Sequence, residues 1–299
     1  MTKHHTDPKA DTTLDLEVPL HQTLEVAGRS DVGQKRAENQ DHFLIADLRR
    51  QLKIRDTNVA HDGCGNELFG CQEGHLLVVA DGMGGHSNGE AASRIAIESS
   101  ARYVLDMMQW FLKLTSTAED DFVDELSQCL VSIQQKLWSQ PRDGGRTMGT
   151  TVTMAYVIPP KMYVVHAGDS RCYLIRDGEV KQLTTDHTVA QQLVQDGGFD
   201  QDDPSLQQWR HVLWNCVGAG DKVVRPEAIR VDLQHGDQIV LCSDGLSGVV
   251  EEPTILKTVT DAKNCQAAAD RLTQLANKKG GPDNITVVAA RLCSKAIQG

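Results

Sequence analysis

Aromatic residues make up only 4% of the 299-residue chain, so any core must be built from the plentiful Val, Ile, Leu and Ala. That composition suits a mixed α and β fold. Positive charge is in deficit, with 30 Lys and Arg against 41 Asp and Glu and a formal net charge of −11. A surface of that sign argues against nucleic acid or an anionic membrane as partner, and it attracts divalent cations. No apolar run approaches the ~18 residues that span a bilayer, and the N-terminus has no signal-peptide core, so the expectation is a soluble, cytoplasmic chain. None of the eight cysteines stands in Cys-x-x-Cys spacing. Cys172, Cys242 and Cys293 lie in apolar runs, as small hydrophobes do in a reducing compartment. His61, Cys64, Cys71 and His75 offer zinc-type ligands, but they match no common template, and Gly63, Gly65 and Gly70 read equally as a surface turn.

Residues 1–23 are polar and aperiodic and read as a flexible tail. Apolar, β-branched runs then predict strands at 24–27, 43–46, 76–80, 150–157, 162–166, 172–175, 179–183, 228–233, 238–242 and 285–292. Asp177-Gly178 marks a hairpin turn. Residues 49–74 read as a polar, glycine-bearing excursion of the second hairpin. Ser87 and Glu90 have capping-box spacing before a helix whose apolar face carries Ala92, Ile95, Ala96, Tyr103, Met107 and Phe111. Phe122, Val123, Leu126, Cys129, Leu130, Ile133 and Leu137 predict a second helix, stopped by Pro141. A further helix carries Ala268, Leu272, Leu275 and Ala276 and ends at Gly280-Gly281. The segment from about 184 to 227 breaks the pattern and reads as a mobile flap that offers little to a core. Within it, Asp186-His187-Thr188 opens a short helix over 189–195 as a cap, and His166 reads as a strand residue.

Five acids, Asp41, Asp81, Asp169, Asp244 and Asp283, each stand at a strand boundary beside glycine or a small polar residue. Asp and Gly are favoured in every turn, so each could be a mere turn former. Five in such places suggest a common centre, where their mutual repulsion calls for bound cations. Hard cations such as magnesium and manganese take oxygen ligands. Two of them close together can acidify a shared water from ~15.7 toward ~7, which supplies hydroxide without Ser, Cys or His.

The ordered motifs Ser30-Asp31-x-Gly33-x-x-Arg36-x-x-Asn39-Gln40-Asp41, Asp81-Gly82-Met83-Gly84-Gly85-His86, Gly149-Thr150-Thr151, Gly168-Asp169-Ser170-Arg171, Ser243-Asp244-Gly245-Leu246 and Asp283-Asn284-Ile285-Thr286 resemble those of the bacterial type 2C serine/threonine protein phosphatases, over residues 24–293. The resemblance implies an α+β fold, a four-layer αββα sandwich of two antiparallel sheets flanked by helices, with 294–299 as a C-terminal tail. It implies two or three divalent cations, manganese or magnesium. Asp81 and the Gly82 carbonyl would serve one centre, Asp81, Asp244 and Asp283 the other, and Asp41 would act largely through bound water. Asp169 with Asp244 would hold a third ion. Arg36 would bind the substrate phosphate bidentately, with a surface salt bridge as the alternative. Hydrolysis of phosphoserine and phosphothreonine would follow by attack of a bridging hydroxide, without a phosphoenzyme. His86 is the candidate general acid, against a metal-bound water or a helix-capping role. The implied partners are phosphorylated proteins, targets of a serine/threonine kinase, met by a monomer, with no nucleic acid or membrane. An inactive phosphoprotein-binding regulator and a small-molecule phosphomonoesterase are the alternative functions.

Overall fold

A computed structural model of the chain describes residues 21–53, 67–84, 87–107, 116–140 and 148–295. The strands are β1 (His21–Asp31), β2 (Asp41–Lys53), β3 (Glu67–Met83), β4 (Gly149–Thr150), β5 (Val152–Ile158), β6 (Lys161–Ala167), β7 (Arg171–Arg176), β8 (Glu179–Gln182), β9 (Glu227–Asp232), β10 (Gln238–Cys242) and β11 (Ile285–Lys295). The helices are α1 (Ser87–Met107), α2 (Ser116–Trp138), α3 (Val189–Gln195), α4 (Asp244–Ser247), α5 (Glu252–Thr260) and α6 (Cys265–Lys278). One sheet runs β2-β3-β5-β6-β9, with β4 added to β3, and the other runs β1-β11-β10-β7-β8; every pairing is antiparallel.

Period-two alternation builds three separate cores from the same strands. In the first sheet Leu76, Val78, Met154, Tyr156, Tyr163 and Val165 face α1 and α2, where Phe122, Leu126 and Leu130 meet them. Their neighbours Leu77, Val79, Ala155, Val157, Met162 and Val164 face the other way, into the space between the sheets. The second sheet sends Cys172, Ile239, Leu241 and Val288 into that space, and turns Tyr173, Val240, Val287 and Ala289 toward α5 and α6. The result is the expected four layers, helices outside and two sheets face to face. Phe122 packs edge-on against Tyr163 with centroids 5.0 Å apart, one of few aromatic contacts the composition allows.

Three expectations change in detail. β1 starts at His21 and β11 runs on to Lys295, because the two pair along their whole length from His21 opposite Lys295 to Asp31 opposite Ile285. The hairpin arms of β2 and β3 remain strand well into the 49–74 stretch, with a register shift between Arg49 and Gln51. Ladder pairing joins backbone groups and needs no apolar period, so the pattern did not announce it. Finally, the 184–227 segment is not a mere surface flap: Leu206, Val217 and Val224 are buried, the latter two against the α1 and α2 core. Among the described residues no helix is long and apolar enough to cross a membrane.

Leu241 is fully buried between the sheets. Leu241→Ala is expected to lower the free energy of unfolding by about 2–5 kcal/mol in urea titrations, from lost burial plus the cavity left behind.

Candidate metal centre

The inward-facing rows of both sheets end, at one rim of the sandwich, in polar residues. On β3 the row Leu77, Val79 continues to Asp81, and across the ladder Asp81 stands opposite Asp41, the first residue of β2. On the other sheet the row through Leu241 ends at Ser243, whose hydroxyl donates to Asp41 Oδ2 at 2.7 Å and so crosses between the sheets. Thr286 lies in the same buried layer: its backbone N–H donates to Ser243 Oγ at 3.0 Å. Asp81 is fixed from its backbone, with its N–H donating to Thr151 Oγ1 and its carbonyl accepting from Thr150 Oγ1.

The other three acids come from turns. Asp169 follows Gly168, whose φ of +126° suits glycine, and a Cβ there would meet Thr151 at 2.6 Å. Asp244 opens α4 directly after Ser243. Asp283 precedes β11 and is gripped by Arg36, whose Nε donates to Oδ1 at 2.8 Å and Nη2 to Oδ2 at 2.6 Å. Asp81, Gly82, Asp169, Asp244, Asp283 and Arg36 line one cleft of about 1190 Å³. Asp41, 4% exposed, is buried beside Asp81. Backbones meet closely at Gly82, where a Cβ would stand 2.1 Å from the Gly89 carbonyl oxygen.

The electrostatics are those of carboxylates crowded out of water. Burial, then the charges of Asp244 and Asp283, push Asp41 up to about 7 against its hydrogen bonds from Ser243 and Thr286. Burial and the neighbouring Asp244 and Asp186 push Asp169 up to about 8. Asp81 is raised well above the usual range by burial and by Asp41, and Asp244 is raised by burial and by Asp283. One oxygen each of Asp41 and Asp244 is buried without a hydrogen-bond partner. Buried carboxylate oxygens without donors, in a cluster that protons alone neutralise poorly, fit a hard divalent cation of the kind that takes oxygen ligands.

All five acids, Gly82 and Arg36 are therefore brought together. His86 lies outside the described residues, as do His61 and Cys64 of the possible zinc group. His75 stands in β3 as Asp47's ladder partner, with Nδ1 2.8 Å from Asp47 Oδ1. His166 is a buried strand residue as expected. Thr188 caps α3, its side chain accepting from the Gln191 N–H, while Asp186 holds Arg171 instead. Sequence reasoning passed over the supporting residues Ser243, Thr151 and Asn284. Asn284 Oδ1 accepts from Gln40 N, and its Nδ2 donates to the Val32 and Glu38 carbonyls, which ties the loop bearing Arg36 to Asp283. The signal for Ser243 and Asn284 was adjacency to an acid within a motif, and for Thr151 only its place in Gly149-Thr150-Thr151. His211, in the segment read as a flap, also lines the cleft and had no such signal.

An antiparallel sandwich whose facing sheets end in a shared acidic cleft defines a class, the αββα proteins with an oxygen-rich metal-type site. The Protein phosphatase 2C profile matches residues 52–281, and the chain belongs to that family. It is 33% identical over 267 residues to the serine/threonine protein phosphatase PstP of Mycobacterium tuberculosis, covering 89% of this chain but only 45% of PstP. Its fold is similar to that of the Streptococcus agalactiae serine/threonine phosphatase, with a TM-score of 0.71 at 25% identity over 90% of this chain and 99% of that one. It is likewise similar to the catalytic domain of PstP in complex with two manganese ions, with a TM-score of 0.65 at 32% identity, over 91% and 99% of the two chains.

Raised carboxyl pKa values have a measurable consequence. Unfolded, these acids titrate near ~4. Folded and free of cations, Asp41 and Asp169 hold their protons to about 7 and about 8. Their contribution to stability is present in full below the unfolded pKa and is lost as pH rises through the folded values. Cations that replace the protons oppose that loss. The rise in melting temperature on adding manganese, measured against a chelated control, is thus expected to be small near pH 5 and large near pH 8. A rise independent of pH contradicts the assignment.

Proposed function

We propose that this chain is a metal-dependent protein phosphatase that hydrolyses phosphoserine and phosphothreonine in proteins. The observation that carries the reading is the convergence of Asp81, Asp169, Asp244 and Asp283 on one cleft beside the forked guanidinium of Arg36. The manganese found in the similar PstP catalytic domain supports divalent manganese or magnesium as the cofactor. In this reading Asp81 and the Gly82 carbonyl hold one ion, Asp81, Asp244 and Asp283 a second, and Asp169 with Asp244 a third, with Asp41 behind them. When bound, such ions supply positive charge for the phosphoryl oxygens and bring the pKa of a coordinated water from ~15.7 toward ~7.

The chain's own residues do the rest. Arg36 binds the phosphate: its fork already holds a pair of carboxylate oxygens, the same planar two-point pattern that a phosphate presents, and 57% of the side chain is exposed to an incoming ligand. Substrate phosphate and Asp283 are alternative partners for that fork. Ser243 orients Asp41 through its 2.7 Å bond, and Thr151 orients the Asp81 backbone, so the acids are set before substrate arrives.

An inactive phosphoprotein-binding relative has no use for buried carboxylate oxygens without partners, and here Asp41 and Asp244 keep them. A small-molecule phosphomonoesterase is disfavoured by the breadth of the cleft, about 1190 Å³, beyond the ~300–1,000 Å³ usual for a small ligand. The substrates in this reading are signalling phosphoproteins marked by a serine/threonine kinase, met in the cytoplasm by a monomer.

The test is hydrolysis of phosphoserine, phosphothreonine and phosphotyrosine peptides and of sugar phosphates, with manganese and after chelation. We expect turnover of the first two peptides only with metal. Arg36→Ala should lower kcat/KM by about 100-fold, as removal of one preorganised charge contact does. Equal turnover by exhaustively chelated protein would defeat the reading, and preference for sugar phosphates would redirect it.

A further inference from the structure

His187 lies outside the cleft, yet it holds both polar backbone groups of the residue that precedes Asp169. Its backbone N–H donates to the Gly168 carbonyl at 2.7 Å, and its Nδ1 accepts the Gly168 N–H at 3.1 Å. The imidazole is itself held from the far side: Asn215 Nδ2 donates to the same Nδ1 at 2.9 Å, and the Asn215 amide is locked by the N–H and carbonyl of Arg225. The Trp214 N–H donates to the His187 carbonyl at 3.0 Å. His166 stacks on the ring with centroids 4.8 Å apart and places Nε2 3.0 Å from the same Gly168 carbonyl and 3.1 Å from that of Thr185.

His166, His187 and Glu227 bring their ligand atoms within 4.8 Å of one another, a spacing that a metal ion could use. The hydrogen bonds argue against one. His187 Nδ1 accepts two N–H groups, so its lone pair is taken and the proton sits on Nε2. His166 Nε2 faces two carbonyls and must carry its proton there, leaving Nδ1 to the Thr153 hydroxyl at 2.9 Å. Both carboxylate oxygens of Glu227 accept from Thr185. Burial pushes His166 down to about 3 and His187 down to about 4, in keeping with two neutral rings.

We infer that His187 is a positioning residue for Asp169: it clamps the Gly168 peptide onto the base of the 184–227 segment, and so sets where the Asp169 carboxylate stands in the cleft. The inference rests on reading Asp169 as a cation ligand. Gly168 takes its φ of +126° without steric cost and has no side chain to anchor it, so the hydrogen bonds from His187, with that from His166, are what hold the peptide before Asp169. Outer residues that orient a ligand are worth about 10–100-fold in metal affinity.

The experiment is manganese binding by calorimetry on the full chain, alongside the manganese dependence of p-nitrophenyl phosphate hydrolysis, for wild type, Asp169→Asn, His187→Leu and His187→Asn. His187→Leu keeps bulk and removes the acceptor, whereas His187→Asn keeps an oxygen where Nδ1 was. We expect His187→Leu to weaken the low-affinity manganese phase by about tenfold or more, as loss of an outer-shell partner does. The tight phase should stay unchanged, the chelated melting temperature should fall because the buried Gly168 N–H loses its acceptor, and His187→Asn should recover most of both losses. If His187→Leu does not fold, Asn215→Ala frees the same imidazole and must weaken the same phase. An unchanged low-affinity phase in a folded His187→Leu or Asn215→Ala protein overturns the inference, provided Asp169→Asn alters that phase. If Asp169→Asn leaves it intact as well, the reading of Asp169 as a ligand is what fails.

Discussion

Mutual repulsion among carboxylates that the fold withholds from water is the constraint on which the rest of this structure depends. Four of the five acids have their protons held tighter than a free side chain would hold them, burial being the largest cause each time. A chain could relieve that cost by exposing or spreading its acids. This one does the reverse, with glycine at the closest approaches and hydroxyls from Ser243 and Thr151 bonded to the acids or their backbone. Such an arrangement makes sense only if something of high positive charge completes it.

The sandwich supplies the means. Asp41 and Asp81 belong to one sheet, Asp244 and Asp283 adjoin strands of the other, and Asp169 stands on the passage between them, after β6 and before β7. The site is thus a joint between two layers, and its geometry is only as good as their alignment. That alignment comes from the apolar inter-sheet core, where Leu77, Val79, Leu241 and Val288 are fully buried and close-packed interiors resist small shifts. Arg36, on the connection from β1 of one sheet to β2 of the other, pairs with Asp283 in the turn before β11.

Much of this was legible in the residues. Alternating β-branched runs announced the central strands, Gly280-Gly281 announced the end of α6 and Asp177-Gly178 the β7–β8 turn, and acids at strand boundaries announced a shared centre. What escaped notice did so for physical reasons. The outer arms of β2 and β3 are joined by backbone pairing, and their sequence carries no sustained hydrophobic period to read. The 184–227 segment is irregular, so its buried anchors Leu206, Val217 and His187 fall at no repeating interval. His211 reaches the cleft from that same segment, through tertiary placement alone. Arg36 was foreseen both as a phosphate ligand and as an ion-pair partner, and it is paired with Asp283.

The alternation along β3, β5, β6 and β10 leaves a lasting mark on how such a chain can diverge. Each of these strands is shared by two interiors of different make-up, so inserting or deleting one amino acid would exchange their contents wholesale. Side chains there can be traded for others of like size, but the count between neighbouring turns cannot drift. Variation in length is therefore pushed to the connections, and a lineage keeping this architecture should show its gaps and extra residues there.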